Sequence, residues 1–151
     1  MTATRTILSL FFILSGATPD EYHLARAIEG EGALLVDPSV GYAIGRSVLN
    51  RLGAEWCASV RECVDGAYWG AATVRIPSQW SLDIAHDVLT RPDDPDLCGR
   101  DRAWCFDAFY VFSLPDRHKL DIADEHVLAV VLNPSGQAGF VFCDRFTEWG
   151  E

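Results

Sequence analysis

Apolar residues recur along the first 90 positions at helical spacing, between polar helix starts and glycine stops. Ile7 to Leu14, "ILSLFFIL", is an apolar run interrupted only by Ser9. Thr18-Pro19-Asp20-Glu21 then reads as a helix start: Thr18 is the N-cap, Pro19 suits the first turn, and two acids favour the positive end of the dipole. This helix runs through Tyr22 to about Gly30 or Glu31. Asp37-Pro38-Ser39 opens a second helix, in which Val40, Ile44, Val48 and Leu52 form one stripe and Gly53 is the stop. A short third helix is expected over Ala58 to Val64. Asp65 to Ala72, "DGAYWGAA", reads as a glycine-punctuated loop. Ser78 caps a fourth helix with Trp80, Ile84 and Val88 on one face and Leu82, Ala85 and Leu89 beside it. Arg91 to Arg102 is a polar loop with two prolines.

The pattern then changes. Phe109 to Ser113, Val127 to Leu132 and Phe140 to Cys143 are short runs of β-branched and aromatic residues, with turn chemistry at Asn133 to Gly139. A helical first part followed by a small antiparallel sheet predicts an α+β fold. At 151 residues one domain is expected, and 49% hydrophobic with 23% charged residues argues against a disordered chain. The net charge of −10 argues against a nucleic-acid partner.

Arg5, the apolar run and the small residues Ser15-Gly16-Ala17 have the layout of a signal peptide over 1–17, leaving 18–151 as a single exported domain. A buried first element of a cytoplasmic protein is the other reading of the same run. The run is too short to span a bilayer, so no stable membrane insertion is expected. Of the five cysteines, Cys98 and Cys105 bracket a loop-like stretch and are the preferred disulfide pair; buried free thiols are the alternative. No cysteine or histidine spacing suggests a metal site, and no cofactor is expected. His23, His86, His118 and His126 share no pattern.

Two glutamates stand close together in "AIEGEGALL", Ala27 to Leu35. At about 100° per residue, Glu31 falls about 20° from Leu24, on the core face, while Glu29 lies about 140° round, beside Arg26. Glu29 therefore reads as a surface residue paired with Arg26. Glu31 is aimed inward at the last turn. A carboxyl facing apolar groups resists ionisation and can serve as a proton donor, as a glycosidic general acid must. Gly30 and Gly32 beside it would let a substrate approach closely. The alternative is that Glu31 merely ends the helix by accepting backbone hydrogen bonds.

"LARAIEGEG" (Leu24 to Gly32) followed by "VGYAIGRSVLNRLG" (Val40 to Gly53) resembles the cell wall hydrolases of the spore-cortex-lytic SleB type. "ASVRECVDGAYWG", "SLDIAHDVLTRPDDPD" and "DAFYVFS" resemble later motifs of that family in the same order, so the likeness covers roughly Tyr22 to Phe142. The resemblance implies a lysozyme-like fold and peptidoglycan glycan strands as partner, cut between N-acetylmuramic acid and N-acetylglucosamine. It implies Glu31 as the catalytic glutamate and Asn50, at the family's L-N-R position, as a supporting residue. The chain departs from the pattern after Glu31, where Gly32-Ala33-Leu34-Leu35 stands, at Tyr68-Trp69, and at Ser113.

Tyr68, Trp69, Phe109 and Tyr110 are the candidate groove wall, because flat aromatic faces suit sugar rings. Asp65 and Asp107 are candidates for a second carboxylate by neighbourhood alone. One glutamate without an evident partner favours a lytic transglycosylase, acting as a monomer. A decayed glycan- or protein-binding module, a phage lysin and a disulfide-stabilised domain without a glycan role are the rivals.

Overall fold

A computed structural model of the chain describes residues 3–32, 38–52 and 57–91, save the side chains of 32 and 39, and the backbone of 108–113, 127–132 and 138–143. The helices are α1 (Ala3–Ser15), α2 (Pro19–Gly32), α3 (Pro38–Arg51), α4 (Val60–Ala67) and α5 (Gln79–Thr90). A 3₁₀ turn, Trp69–Thr73, separates α4 from α5.

The starts follow the chemistry of their first residues. Thr18 Oγ1 accepts from the Glu21 N–H at 3.2 Å, and Glu21 Oε2 accepts from the Thr18 N–H at 2.7 Å, a reciprocal capping box. Ser59 caps α4 and Ser78 caps α5, each through its hydroxyl. The third helix thus begins at Val60 and continues through Ala67, later than the apolar pattern alone suggested. The stretch read as a loop after it is partly a tight helix: Ala71 N–H donates to the Tyr68 carbonyl and Val74 N–H to that of Ala71. Gly16, with φ 66°, ends α1 while its N–H returns to the Phe12 carbonyl.

The core is made between helices. Leu24, Ile28, Val40, Ile44, Val48, Val64 and Val88 are fully buried, and α2 lies among the others. The expected stripe of α3 holds through Val48, but Leu52 lies past the helix end and is 42% exposed.

Residues 3–32, 38–52 and 57–91 are 82% helical and hold no strand. This corrects the expected α+β, lysozyme-like domain with a small antiparallel sheet. The described core is made of residues of the helices and the 3₁₀ turn, together with Cys57 and Tyr68. Backbone pairing is assigned farther along, where β1 (Ala108–Ser113), β2 (Val127–Leu132) and β3 (Ala138–Cys143) run antiparallel in the order β1-β3-β2.

The disulfide among the described residues joins Cys57 to Cys63, both buried, and ties the approach to α4 onto its first turn. Those two are therefore not free thiols. The pair expected at Cys98 and Cys105 lies outside the described residues. No helix among the described residues is long and apolar enough to cross a membrane. Helix α1 rests on the body through Phe11 and leaves Ile7, Leu10, Ile13 and Leu14 more than half exposed.

One surface pair gives the stability a pH signature. His86 Nδ1 lies 2.7 Å from Glu21 Oε1. That hydrogen bond and the Glu21 charge raise the His86 pKa above its ordinary 6.5. Burial pushes Glu21 up, but its bonds to His86 and Thr18 outweigh this and bring it below 4.5. The histidine contribution is complete below 6.5 and is lost as pH rises through the raised value. The glutamate contribution is complete above 4.5 and is lost as pH falls through the lowered value. Thermal melts should show the parent losing Tm relative to His86→Gln as pH goes from about 5.5 to about 8.5. Equal changes in both proteins would mean that the pair does not stabilise the fold.

Candidate functional site

Glu31 sits half-buried on the last turn of α2. Its Oε1 accepts the Gly70 N–H at 2.7 Å, which places the carboxyl group at the start of the 3₁₀ turn. The bond needs close backbone approach. A Cβ placed on Gly30 would overlap the carbonyl of Gly70, and one on Gly70 would overlap that of Gly30. Gly30 is therefore used to seat the 3₁₀ turn against α2, which corrects its reading as room for a substrate.

Glu29 also differs from expectation. Its Oε2 accepts from the Ser78 N–H at 2.6 Å and from the Ser81 hydroxyl, clamping α2 to the start of α5. The Ser81 hydrogen is spent on Glu29, so the Ser78 hydroxyl donates to Ser81 Oγ. Arg26, the partner expected for Glu29, instead donates from Nε to the carbonyls of Ala71 and Val74. The two glutamates thus do parallel work: each holds a different segment start against α2.

Tyr68 was a candidate for the groove wall, but it is only 2% exposed and its ring is closed to a sugar. Ser47 Oγ donates to the Ile44 carbonyl at 2.7 Å, so the Tyr68 hydroxyl is the donor in its 2.7 Å bond to Ser47. Arg51 stacks over the ring at 5.2 Å. Burial pushes the Tyr68 phenol up to about 12; Arg51 and Ser47 oppose this, and the Glu31 charge adds to it. Tyr68 is thus a buried packing residue, held by Ser47 and Arg51.

Trp69, next in the chain, is 84% exposed and is the aromatic that a ligand near Glu31 could reach. Asn50 is half-buried on α3 and accepts from Arg46 Nη2 at 3.3 Å. Asp65 is held by Arg26 and Arg61, each at 3.4 Å, and lines a different depression, under α1. The backbone of Phe109 and Tyr110 lies in β1, opposite Phe142 and Val141, while their side chains and Asp107 lie outside the described residues.

The structure therefore brings together Glu31, Gly70, Tyr68 and Trp69. No protein-family model matches the chain, and neither a curated protein nor a solved structure matches it. Among the described residues no group of three or more His, Cys, Asp or Glu could hold a metal ion. Arg26, Ser47, Ser78 and Ser81 organise this region, and sequence reading missed these contacts. Only the reading of Ser78 as a helix cap touched one of these residues.

Proposed function

We propose that the protein cleaves the glycan strands of peptidoglycan between N-acetylmuramic acid and N-acetylglucosamine, with Glu31 as the acid and base. The observation that carries the reading is the carboxylate of Glu31, half-buried at a helix end, fixed by the Gly70 N–H and flanked by the exposed Trp69. The resemblance of Leu24 to Gly53 to SleB-type hydrolases arrives independently at the same glutamate.

In the first step Oε2–H gives its proton to the glycosidic oxygen while Oε1 keeps the Gly70 bond. The bond to the anomeric carbon breaks and an oxocarbenium-like sugar forms. The ionised glutamate then takes the proton of that sugar's 6-hydroxyl, whose oxygen closes on the anomeric carbon. The product is a 1,6-anhydro sugar, and Glu31 ends protonated as it began. This lytic route needs no second carboxylate, which suits Asp65 being held between Arg26 and Arg61.

The proposal includes export. Arg5, the apolar α1 and the small residues after it have the layout of a leader, and a buried disulfide suits an oxidising compartment.

The test is digestion of peptidoglycan, with the soluble products weighed by mass spectrometry. Anhydro-muropeptides support the lytic route, and reducing ends make the protein a muramidase. No release from several wall types by a folded sample overturns the proposal. Trp69→Ala should weaken binding of glycan fragments by roughly 1–3 kcal/mol if the ring anchors a sugar as a buried contact would. It should leave the thermal midpoint unchanged, because the ring is already in solvent. Unchanged affinity would remove Trp69 from the groove.

A further inference from the structure

Away from Glu31, residues of α1, α2, α4 and the segment around the 3₁₀ turn line a cleft of about 530 Å³. That is within the range of small-molecule sites, about 300–1,000 Å³. One wall is apolar: Leu8 and Phe12 come from α1, and Tyr22 faces them, its ring edge-on to Phe12 with centroids 5.2 Å apart. The other wall is cationic. Arg26, Arg61 and Arg75 line it, against the single carboxylate of Asp65. This reverses the sign of a protein whose net charge is −10.

The cationic wall is partly built in advance. Arg26, with its side chain 14% exposed, is fixed by the carbonyls of Ala71 and Val74 and by Asp65. Its Nη1 also donates to His23 Nδ1 at 3.0 Å. Arginine has no acceptor, so the proton of neutral His23 sits on Nε2 and gives the lining one more donor. Burial and the charge of Arg26 hold His23 below its ordinary range, so the ring is neutral at pH 7. Arg61 has a side chain 71% exposed and shares Asp65 with Arg26. Arg75 has no ion pair among the described residues, and its backbone carbonyl accepts the Tyr22 hydroxyl, which sets its place at the rim.

We propose that this cleft binds a small amphipathic carboxylate, its apolar body against Leu8, Phe12 and Tyr22 and its carboxylate on Arg61 and Arg75. A guanidinium fork matches a planar carboxylate through two parallel hydrogen bonds. Asp65 disfavours a polyanion, and the aromatic wall disfavours a bare inorganic ion. The site does not include Glu31 and does not rest on glycan cleavage. It belongs to the uncleaved chain, since Leu8 and Phe12 come from α1, and removal of 1–17 as a leader abolishes it.

The test is isothermal titration of the full chain with octanoate, octan-1-ol and inorganic phosphate. Octanoate should bind at least about tenfold more tightly than either of the others, because each lacks one half of the ligand. Arg75→Gln and Arg61→Gln should each weaken octanoate by about tenfold and leave octan-1-ol unchanged. Phe12→Ala should weaken both organic probes. Folding of each variant is checked by circular dichroism; Arg61 and Arg75 are exposed, so both variants should keep the parent spectrum. Octanoate that fails to saturate, or binds no better than octan-1-ol or phosphate, overturns the proposal. So do folded Arg75→Gln and Arg61→Gln variants that both bind octanoate like the parent.

Discussion

Replacing Glu31 by Gln should slow glycan cleavage by about 10²–10⁴-fold, the usual contribution of a positioned proton-transfer group. The substitution is nearly isosteric. The amide oxygen can still accept the Gly70 N–H, so the link between α2 and the 3₁₀ turn survives. What is lost is the ability to give and retake a proton. Binding of an uncleaved glycan fragment should therefore stay close to that of the parent while turnover collapses. Turnover and fragment affinity measured on one preparation separate these effects. A variant that cleaves at the parent rate would remove Glu31 from the chemistry and leave it a structural clamp like Glu29.

Gly30→Ala should give the largest loss of stability. Its new methyl group would meet the backbone of Gly70 and Ala71, which has no rotamer to escape into. Helix α2 and the 3₁₀ turn must move apart, stretching the Glu31 bond. Overpacking commonly costs about 1–3 kcal/mol, and a backbone obstacle puts this site at about 3 kcal/mol or more. Gly66→Ala is the control. It lies in α4, a Cβ there meets nothing within 4 Å, and the gain in helix propensity should stabilise by about 0.5–1 kcal/mol. Denaturant midpoints for the two variants should thus shift in opposite directions. A Gly30→Ala midpoint near that of the parent would mean that the two segments are not tightly seated.

The local parts of the fold were legible because their causes are local. Thr18 and Glu21 are three residues apart, and their bonds can be read from their types. The stripe of Val40, Ile44 and Val48 needs only helical geometry to become a buried face. The wheel set Glu31 inward and Glu29 outward, whereas both are half-buried, and it could not say what stands opposite either. Gly70 is 39 residues away and Ser78 is 49 residues from Glu29. Both partners are backbone N–H groups, which every residue except proline carries, so nothing in the sequence marks them. Tyr68 and Trp69 are neighbours of similar chemistry, yet one is buried and the other exposed; the tight turn between α4 and α5 decides which. The fold class was misread because the β-branched runs after residue 108 were given equal weight with the helices. The described core is built from the helices, the 3₁₀ turn, Cys57 and Tyr68.

The Gly70 amide has one more consequence. Its proton points at a side-chain oxygen, so its NMR resonance watches a single carboxylate. A ligand that draws on Glu31 would shift this peak, and withdrawal of the carboxylate would open the amide to deuterium exchange. One glycine cross-peak thus serves as a built-in gauge of whether the glutamate is engaged, readable without substrate turnover.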